Sequence, residues 1–342
     1  MNKLELKYHP YELKLSVPFE TSKGKISTRK GFIISLESSS GNVGIGDVCP
    51  LPEFGSETYE EAEKRISNLK IEMKVEIEDF KNSLIYFLSD YNAYPSLKHG
   101  LEQAFTNLIC NEKKTSLSQL LNLKLKREIK VNAAIGFLNP EEATSRALQF
   151  VNEGFKTIKV KTGRNNFDED LRSVESIRKA VGYEIKLRID SNGKWSVAEA
   201  DKYLNQFKEF SIEYAEQPVN SLDEFKDLKS RTNVSLAADE SIRDFDSAKK
   251  FISAKSIDFI ILKPMMLGGL IPTLEIIELA EKNNIAPVVT SSFESAVGRT
   301  NTVIAASVVK SDIAHGLAVI QYFEDDIAED KYPVVNGSIK VY

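Results

Sequence analysis

The stretch TIKVK at residues 157–161 is a short strand-like segment that ends in a lysine. Four later segments share its form, an apolar run closed by an ionisable residue. They are KLRID at 186–190, IEYAE at 212–216, SLAAD at 235–239 and IDFIILK at 257–263. Short apolar runs bounded by turn residues are typical of buried strands. The recurrence of this form predicts a repeating unit built on parallel strands.

Amphipathic segments separate these strands. Helical spacing of apolar residues is found at 141–152, 168–181, 197–208, 223–230, 245–254 and 270–283. Strands joined through helices pair in parallel with right-handed crossovers. With further strands at 131–137, 287–292 and 313–319 the count reaches eight, and no clear helix follows the eighth. We predict an α/β fold, a modified (β/α)7β TIM-like barrel, with an open doubly wound sheet as the alternative.

The first 128 residues are organised differently. Segments at 4–15, 31–36 and 43–48 are rich in β-formers, and helical runs follow at 58–69, 76–88 and 96–110. Strands followed by helices indicate an α+β unit. Thr58 and Glu61 have the spacing of a capping box. We predict an N-terminal α+β domain at 1–128, completed by the C-terminal tail 321–342, and a barrel domain at 129–320.

Composition excludes several classes of protein. The chain has 342 residues, 42% of them hydrophobic, and a net charge of -5, which is typical of a globular protein and not of a disordered one. It has no apolar run long enough for a membrane helix, and its start has no apolar signal core. A pI near 5.6 argues against nucleic-acid binding, and two cysteines fit a reducing compartment. We expect a cytoplasmic monomer or homo-oligomer.

Five ionisable residues close five consecutive strands. They are Lys161, Asp190, Glu216, Asp239 and Lys263, and successive members are 23 to 29 residues apart. The carboxyl ends of barrel strands open on one face, where active sites of such barrels are built. We therefore expect three acids in the middle of one rim, with a lysine on each flank.

This set of side chains predicts metal-assisted proton abstraction. Carboxylates crowded into one mouth raise the pKa of at least one of them, and a divalent cation relieves the repulsion. An all-oxygen ligand set favours Mg²⁺, or alternatively Mn²⁺, over zinc. A buried lysine beside a dication has a lowered pKa and can act as a base near neutrality. The predicted chemistry is removal of a proton α to the carboxylate of a small-molecule substrate.

Other interpretations explain less. A single acid at a strand end is more often a helix N-cap than a ligand, and Lys159 with Lys161 could form a basic patch on the outer wall. A Schiff-base aldolase would use Lys161 or Lys263 as nucleophile but leaves the three acids unexplained. A barrel that only binds would be favoured by an apolar residue at one of the five positions, and none is present.

At these residues the chain resembles the enolase superfamily, whose Lys or His base with Mg²⁺ is an established pattern. The segments that carry the resemblance are GIGDVCPLPEF at 44–54, TIKVK at 157–161, RIDSNG at 188–193, EQP at 216–218, ADES at 238–241, LKP at 262–264 and SSFES at 291–295. Within the superfamily the chain is most similar to the o-succinylbenzoate synthase family of menaquinone biosynthesis. The resemblance implies an N-terminal capping domain on the barrel.

The resemblance also implies residue roles. Asp190, Glu216 and Asp239 would ligate Mg²⁺, Lys161 would act as base and then acid, and Lys263 would stabilise the enediolate. Lys159 would tune Lys161, and Asn192 and Glu240 would support the ligands. Ser291, Ser292 and Gly316 would border a succinyl arm through backbone N–H groups. The basic run from Lys23 to Lys30 predicts a solvated loop. The overlapping stretch 21–27 is either a mobile lid, as the resemblance implies, or a plain loop.

The implied activity is dehydration of 2-succinyl-6-hydroxy-2,4-cyclohexadiene-1-carboxylate to 2-succinylbenzoate. The alternative is N-succinylamino acid racemisation or another epimerisation by the same two lysines. Two features depart from the family patterns. Gln217 replaces an acid often found after the strand-four ligand, and AHGL at 314–317 lacks the Asp-x-Asp of dipeptide epimerases.

Overall fold

The computed structural model describes residues 4–21, 24–71, 80–319 and 322–342. The chain begins with an antiparallel meander of β1 (Leu4–Thr21), β2 (Gly24–Ser38) and β3 (Val43–Val48). The two long strands pair from Leu4 with Ser38 to Thr21 with Gly24, so the hairpin extends beyond the predicted segments.

Helices cover this meander. They are α1 (Tyr59–Ser67), α2 (Phe80–Leu88), α3 (Pro95–Lys113) and α4 (Leu117–Leu120). The predicted capping box is present, since Thr58 accepts from the Glu61 N–H and Glu61 accepts from the Thr58 N–H. The helix predicted at 76–88 begins among residues 72–79, which lie outside the described part, and is seen from Phe80 onward.

Two glycines let α3 lie directly on β3. A Cβ atom on Gly46 would overlap the carbonyl oxygen of Gly100, and one on Gly44 would overlap that of Ala104. Asn107 and Asn111 on α3 donate to the β3 carbonyls of Ile45 and Val43 at 2.7 and 2.6 Å. The helix therefore packs directly on β3, and two of its side chains bond main-chain carbonyls of this edge strand.

Seven parallel strands form the second part, in the spatial order of the chain. They are β5 (Ala133–Ile135), β6 (Thr157–Lys161), β7 (Lys186–Asp190), β8 (Ile212–Glu216), β9 (Leu236–Ala238), β10 (Phe259–Leu262) and β11 (Ala286–Val289). The predicted strands are found with the expected ends at β6, β7 and β8. This confirms the α/β class with a barrel-like sheet.

Helices connect these strands. They are α5 (Pro140–Asn152), α6 (Phe167–Val181), α7 (Val197–Phe207), α8 (Leu222–Arg231), α9 (Phe245–Ser253), α10 (Pro264–Leu267), α11 (Leu270–Lys282) and α12 (Ala296–Ser307). Six of them match the predicted segments, whereas α12 was not predicted. Ten of the twelve α12 residues are buried, so the helix has almost no polar face to mark it.

The predicted eighth strand at 313–319 is reduced to two residues that close the barrel. His315 forms a parallel bridge with Val131, and Gly316 forms one with Thr290. His315 N–H donates to the Lys130 carbonyl and Gly316 N–H to the Val289 carbonyl, so the segment bonds both edges of the sheet. The open doubly wound alternative is therefore wrong. Pairing ends here because the chain turns away at residues 318–319.

The C-terminal tail contacts both parts of the molecule. Phe323 bridges Leu15 of β1, and the Glu324 N–H donates to the Lys14 carbonyl. Further along, β12 (Val334–Val335) and β13 (Ser338–Lys340) form a hairpin at the predicted Asn336-Gly337 turn, and β13 pairs with β4 (Glu128–Lys130). The boundary between the two domains at residue 128 stays a prediction.

None of the helices among the described residues has the length and apolarity to cross a bilayer.

Because α3 lies against the β3 backbone, we expect Gly46→Ala to lower the free energy of unfolding by about 1–3 kcal/mol through overpacking. Urea denaturation followed by circular dichroism measures this change. Ile45→Ala is the matched control, since Ile45 lies on the same strand with 43% of its surface exposed, and should cost below about 1 kcal/mol. An equal loss in both variants would contradict the account of the close approach.

Candidate active site

The three predicted metal ligands converge at the carboxyl ends of neighbouring strands. Asp190 ends β7, Glu216 ends β8 and Asp239 follows β9. One carboxylate oxygen from each lies within 4.8 Å of the others, and each residue is at most 4% exposed. The parallel register pairs Asp190 with Glu216, and Asp239 follows two residues after Ala237, the partner of Glu216 on β9.

The helix-cap interpretation of these acids is wrong. The helices that follow β7, β8 and β9 have their own caps, which are Ser196, Ser221 and Asp244. Each of these residues accepts a hydrogen bond from a backbone N–H in the first turn of its helix. The strand-end acids therefore stay free for another role.

Lys159 and Lys161 point into the barrel. Lys159 Nζ donates to Asp190 Oδ2 at 3.0 Å and to Glu216 Oε1 at 2.9 Å. Lys161 is 4% exposed, and its Nζ donates to the same Asp190 Oδ2 at 2.6 Å. The basic patch on the outer wall is therefore ruled out. Because both amines contact the same oxygen, the positive charge of Lys159 lies close to the amine of Lys161.

Asn192 and Glu240 lie where the sequence analysis expects supporting residues. Asn192 Oδ1 accepts from Lys161 Nζ at 2.9 Å, and Asn192 Nδ2 donates to Glu240 Oε1 at 2.8 Å. Asn192 has a left-handed backbone with φ of 48°, a conformation that asparagine tolerates better than most residues. The chain of contacts fixes the amine of Lys161 between Asp190 and Asn192.

Lys263 stands on the other side of the acids. It follows β10, and its Nζ forms an ion pair with Asp239 Oδ1. Three strands, β7 to β9, separate the strand of Lys161 from that of Lys263. The two amines thus approach the carboxylate cluster from opposite flanks, as predicted.

The crowded carboxylates have divided pKa values. Burial and the charge of Asp190 raise the pKa of Glu216 to about 8. Burial also disfavours the Asp190 anion, but Lys159 and Lys161 outweigh it and hold its pKa below the usual range. For Asp239 the effect of burial is outweighed by Lys263 and then by Lys159, which lower its pKa. Repulsion among the carboxylates therefore leaves Glu216, and not Asp190 or Asp239, with the raised pKa.

The donor set fits a divalent cation. Glu216 Oε1 accepts from Lys159, whereas the buried Glu216 Oε2 has no hydrogen-bond partner among the described residues. An unpartnered buried carboxylate oxygen is costly unless a cation neutralises it. Three carboxylates without histidine or cysteine are ligands that Mg²⁺ and Mn²⁺ prefer. Asp190, Glu216 and Asp239 would hold the ion.

The expected lowering of the lysine pKa is not found for Lys263. Burial alone would lower it, but Asp239 and then Glu240 and Glu216 outweigh burial and raise it. The same holds for Lys159, whose pKa is raised well above its usual value by Asp190 and Glu216 against the effect of burial. A dication bound by the acids would oppose these carboxylate effects.

A cavity of about 60 Å³ lies beside the lysines and Asp239. Ser291 and Gly316 line it, whereas Ser292 does not. The expected free N–H groups are not found. Ser291 N–H donates to the Gly316 carbonyl, Gly316 N–H donates to the Val289 carbonyl, and Ser292 N–H donates to Glu294 Oε2. The first two are used to close the barrel, so contact with a succinyl arm stays a prediction for these residues without that mechanism.

Gln217 has a structural use that an acid would lack. Its Oε1 accepts from the Asp239 N–H at 2.8 Å, and its Nε2 donates to Ser241 Oγ at 2.6 Å and to the Val219 carbonyl at 2.8 Å. A carboxylate cannot donate these last two bonds. The amide at this position thus adds bonds to Ser241 and Val219 to the acceptor role toward the Asp239 N–H, which an acid could also fill.

The basic run near residue 29 is not uniformly solvated. Arg29 is 4% exposed and donates to the carbonyls of Cys49, Pro50 and Phe293. The expectation of a solvated loop is wrong for Arg29, because segments distant in the sequence supply its acceptors. Of the predicted lid at 21–27, residues 22 and 23 lie outside the described part, and 24–27 begin β2.

Aromatic residues that the sequence analysis did not single out form one wall of the cavity. Phe19, Phe293 and Tyr322 line it, with ring centroids of Phe19 and the other two 5.5 and 5.9 Å apart. They come from β1, the loop before α12 and the tail. Only the quoted SSFES segment signalled one of them.

We expect Asp239→Asn to weaken Mn²⁺ binding by at least about 10–100-fold, because losing a direct anionic ligand should cost no less than losing a hydrogen-bonding partner of a ligand. Electron paramagnetic resonance of free Mn²⁺ measures the affinity. Asp223→Asn is the control, since it makes the same change in a side chain that is 91% exposed and is not one of the three clustered acids. Unchanged affinity in Asp239→Asn would contradict the ligand assignment.

Two family descriptions match the chain. Residues 142–342 match the family described as Enolase C-terminal domain-like, and residues 4–108 match the one described as MenC, N-terminal domain. In three dimensions the chain is similar to the dipeptide epimerase of Enterococcus faecalis complexed with Mg and the dipeptide L-Leu-L-Tyr. That likeness has a TM-score of 0.90 and 24% identity and covers 99% of this chain and 97% of the other.

Characterised relatives share one superfamily and differ in activity. The L-Ala-D/L-Glu epimerase of Clostridium acetobutylicum is 30% identical over 78% of this chain and 76% of its own length. The o-succinylbenzoate synthase of Thermobifida fusca is 34% identical over 62% and 66%. The N-succinyl-L-Arg/Lys racemase of Bacillus cereus is 24% identical over 84% and 80%. These relatives thus include an epimerase, a synthase and a racemase. The chain belongs to the enolase superfamily.

Proposed function

We propose that this protein is a Mg²⁺-dependent enzyme that removes the proton α to the carboxylate of a substrate bearing a succinyl arm. The observation that carries the proposal is the pair of lysines on opposite flanks of the buried acids. Lys161 contacts Asp190 and Lys263 contacts Asp239, so an α-carbon held above the acids lies between two amines. Bound Mg²⁺ would act as a Lewis acid on the substrate carboxylate.

The cavity walls support a substrate without a free ammonium group. Among the described residues that line the cavity, Asp239 is the one carboxylate, and it is a proposed metal ligand. The eighth segment contributes Gly316 and Ala318 to the cavity and lacks the Asp-x-Asp of dipeptide epimerases. A dipeptide ammonium group would therefore lie against lysines and apolar rings. An N-acylated or succinyl-bearing carboxylate fits this surface better.

Dehydration to 2-succinylbenzoate is the first candidate. Lys161 Nζ takes the α-proton, and the electron pair moves into the carboxylate to give an enediolate. Collapse of the enediolate forms the ring double bond and expels the hydroxyl, which takes the proton from Lys161 and leaves as water. Lys263 contributes its positive charge. The match of residues 4–108 to the MenC N-terminal domain and the synthase relative favour this candidate.

Racemisation of N-succinylamino acids is the second candidate. One lysine removes the α-proton from one face and the other returns a proton to the opposite face. The flanking positions of Lys161 and Lys263 favour this candidate, and so do the epimerase and the racemase among the relatives. Both candidates share the proton-abstraction step and differ in the fate of the enediolate, which either expels a hydroxyl or regains a proton.

A paired assay separates the candidates. Purified protein with Mg²⁺ is tested for 2-succinylbenzoate formation and for deuterium uptake at the α-carbon of N-succinylamino acids, and both assays are repeated after EDTA treatment. We expect activity only with the metal, because the acids need a cation to hold the substrate carboxylate. Fast dehydration with little deuterium uptake identifies a synthase, and the reverse identifies a racemase. If the activities seen with Mg²⁺ persist after EDTA treatment, the proposal is wrong.

The two lysines should have separable effects. Lys161→Met should lower the rate of dehydration at least about 10²–10⁴-fold, the usual contribution of a general base. In the exchange assay Lys161→Met and Lys263→Met should each lose deuterium uptake from one enantiomer and keep it with the other. Lys202→Met, on the exposed side of α7, is the control. If neither lysine variant changes either assay, the assignment of the bases is wrong.

A further inference from the structure

Two buried acids outside the metal cluster anchor the chain just after the two active-site lysines. Glu102 on α3 is 1% exposed, and Asp170 on α6 is fully buried. Neither acid lines the catalytic cavity or belongs to the three clustered carboxylates. Each accepts hydrogen bonds from backbone N–H groups of the segment that follows Lys161 or Lys263.

Asp170 holds the segment after Lys161. Its Oδ2 accepts from the N–H groups of Gly163 and Arg164 at 2.6 and 3.0 Å, and its Oδ1 accepts from the Arg164 guanidinium at 2.5 Å. Gly163 lies two residues after Lys161 and has φ of 95°, a left-handed conformation that favours glycine. The carboxylate therefore fixes an unusual backbone conformation directly beyond the lysine.

Glu102 holds the segment after Lys263 from the N-terminal part of the molecule. Its Oε1 accepts from the N–H of Leu270 at 2.5 Å and from that of Ile271 at 3.2 Å, the first two residues of α11. A Cβ atom on Gly269 would overlap the Glu102 carboxylate, so glycine here lets the acid reach the helix. Glu102 thus supplies the cap that Gly269 has no side chain to provide.

The start of α11 is connected to Lys263 through hydrogen-bonded backbone. The Gly269 N–H donates to the Pro264 carbonyl, and the N–H groups of Met266 and Leu267 both donate to the Lys263 carbonyl. The short helix α10 therefore joins Lys263 to the residue that precedes α11. A shift at the start of α11 is passed through α10 to the backbone of the lysine.

We propose that Glu102 and Asp170 are positioning residues, Glu102 for Lys263 and Asp170 for Lys161. The proposal rests on the proposed function in one respect, that each lysine moves a proton at one face of the α-carbon. Proton transfer needs the two heavy atoms within about 2.6–3.2 Å. Because a displacement of about 1 Å can lower a rate about 10²-fold, loss of one acid should weaken reaction at one face and spare the other.

The first test follows deuterium uptake from each enantiomer of N-succinylalanine. Lys161→Met and Lys263→Met identify which enantiomer depends on which lysine. Glu102→Ala should lower kcat/KM about 10–100-fold for the Lys263-dependent enantiomer, and Asp170→Ala should do so for the other. Glu102→Gln should restore most of the rate, because its amide oxygen can accept the same N–H bonds. Equal losses for both enantiomers, or no loss, would overturn the proposal.

Glu281→Ala is the matched control. Glu281 lies near the other end of α11, and its Oε1 accepts from the Lys310 N–H at 2.7 Å. Its loss also removes a bond between a glutamate and a distant backbone, but neither residue lines the catalytic cavity. The two enantiomers should keep the wild-type ratio of rates in this variant. A change of that ratio as large as in Glu102→Ala would overturn the proposal.

The second test needs no turnover. Acetic anhydride modifies lysines in the Mg²⁺-loaded proteins, and mass spectrometry measures the rate at each one relative to exposed Lys202. A lysine without its anchor leaves the buried rim more often. Glu102→Ala should therefore raise the modification rate of Lys263 at least about threefold and leave that of Lys161 unchanged, and Asp170→Ala should do the reverse.

This pattern separates the two proposals. If the wild type takes up deuterium from neither enantiomer but the pattern is seen, the proposed function fails and the positioning roles stand. Equal changes at both lysines, or no change at either, would overturn the positioning roles. Should an alanine variant not fold, Glu102→Met or Asp170→Leu takes its place, since each keeps more of the side-chain volume and accepts no N–H bond.

Discussion

The crowding of three buried carboxylates is the constraint on which the rest of the site depends. Asp190, Glu216 and Asp239 present oxygens within 4.8 Å of one another in a nearly solvent-free rim. Such charges repel unless cations balance them. In the protein alone Lys159, Lys161 and Lys263 supply that balance and leave Glu216 with a raised pKa. A dication held by Asp190, Glu216 and Asp239 would supply the same balance of charge.

The barrel and the N-terminal part hold this arrangement together. Neighbouring parallel strands fix the heights of the acids, and Gln217 fixes the backbone of Asp239. The loop before α12 is bonded to the N-terminal part by Arg29, which donates to Phe293, and by Asp47, which accepts from Ser295 at 2.7 Å. Burial raises the pKa of Asp47 to about 6. The pocket wall is thus built from both parts of the chain.

The sequence was most informative where local chemistry decides the structure. Strand-end charges at regular spacing predicted the rim, and Thr58 with Glu61 predicted a helix start that the structure confirms. The sequence did not predict features that depend on contacts between segments distant in the chain. The helix α12 is buried on nearly all sides and shows no amphipathic pattern, Arg29 is buried by the residues around 49 and 293, and the N–H groups of Ser291 and Gly316 are used in closing the barrel.

Anomalous diffraction from crystals grown with Mn²⁺ tests the central claim most directly, because it locates the cation without relying on turnover. The account predicts one strong peak between the carboxylates of Asp190, Glu216 and Asp239, with the amines of Lys161 and Lys263 on opposite sides of it. A protein that binds Mn²⁺ elsewhere, or shows no peak among these three acids, would contradict it.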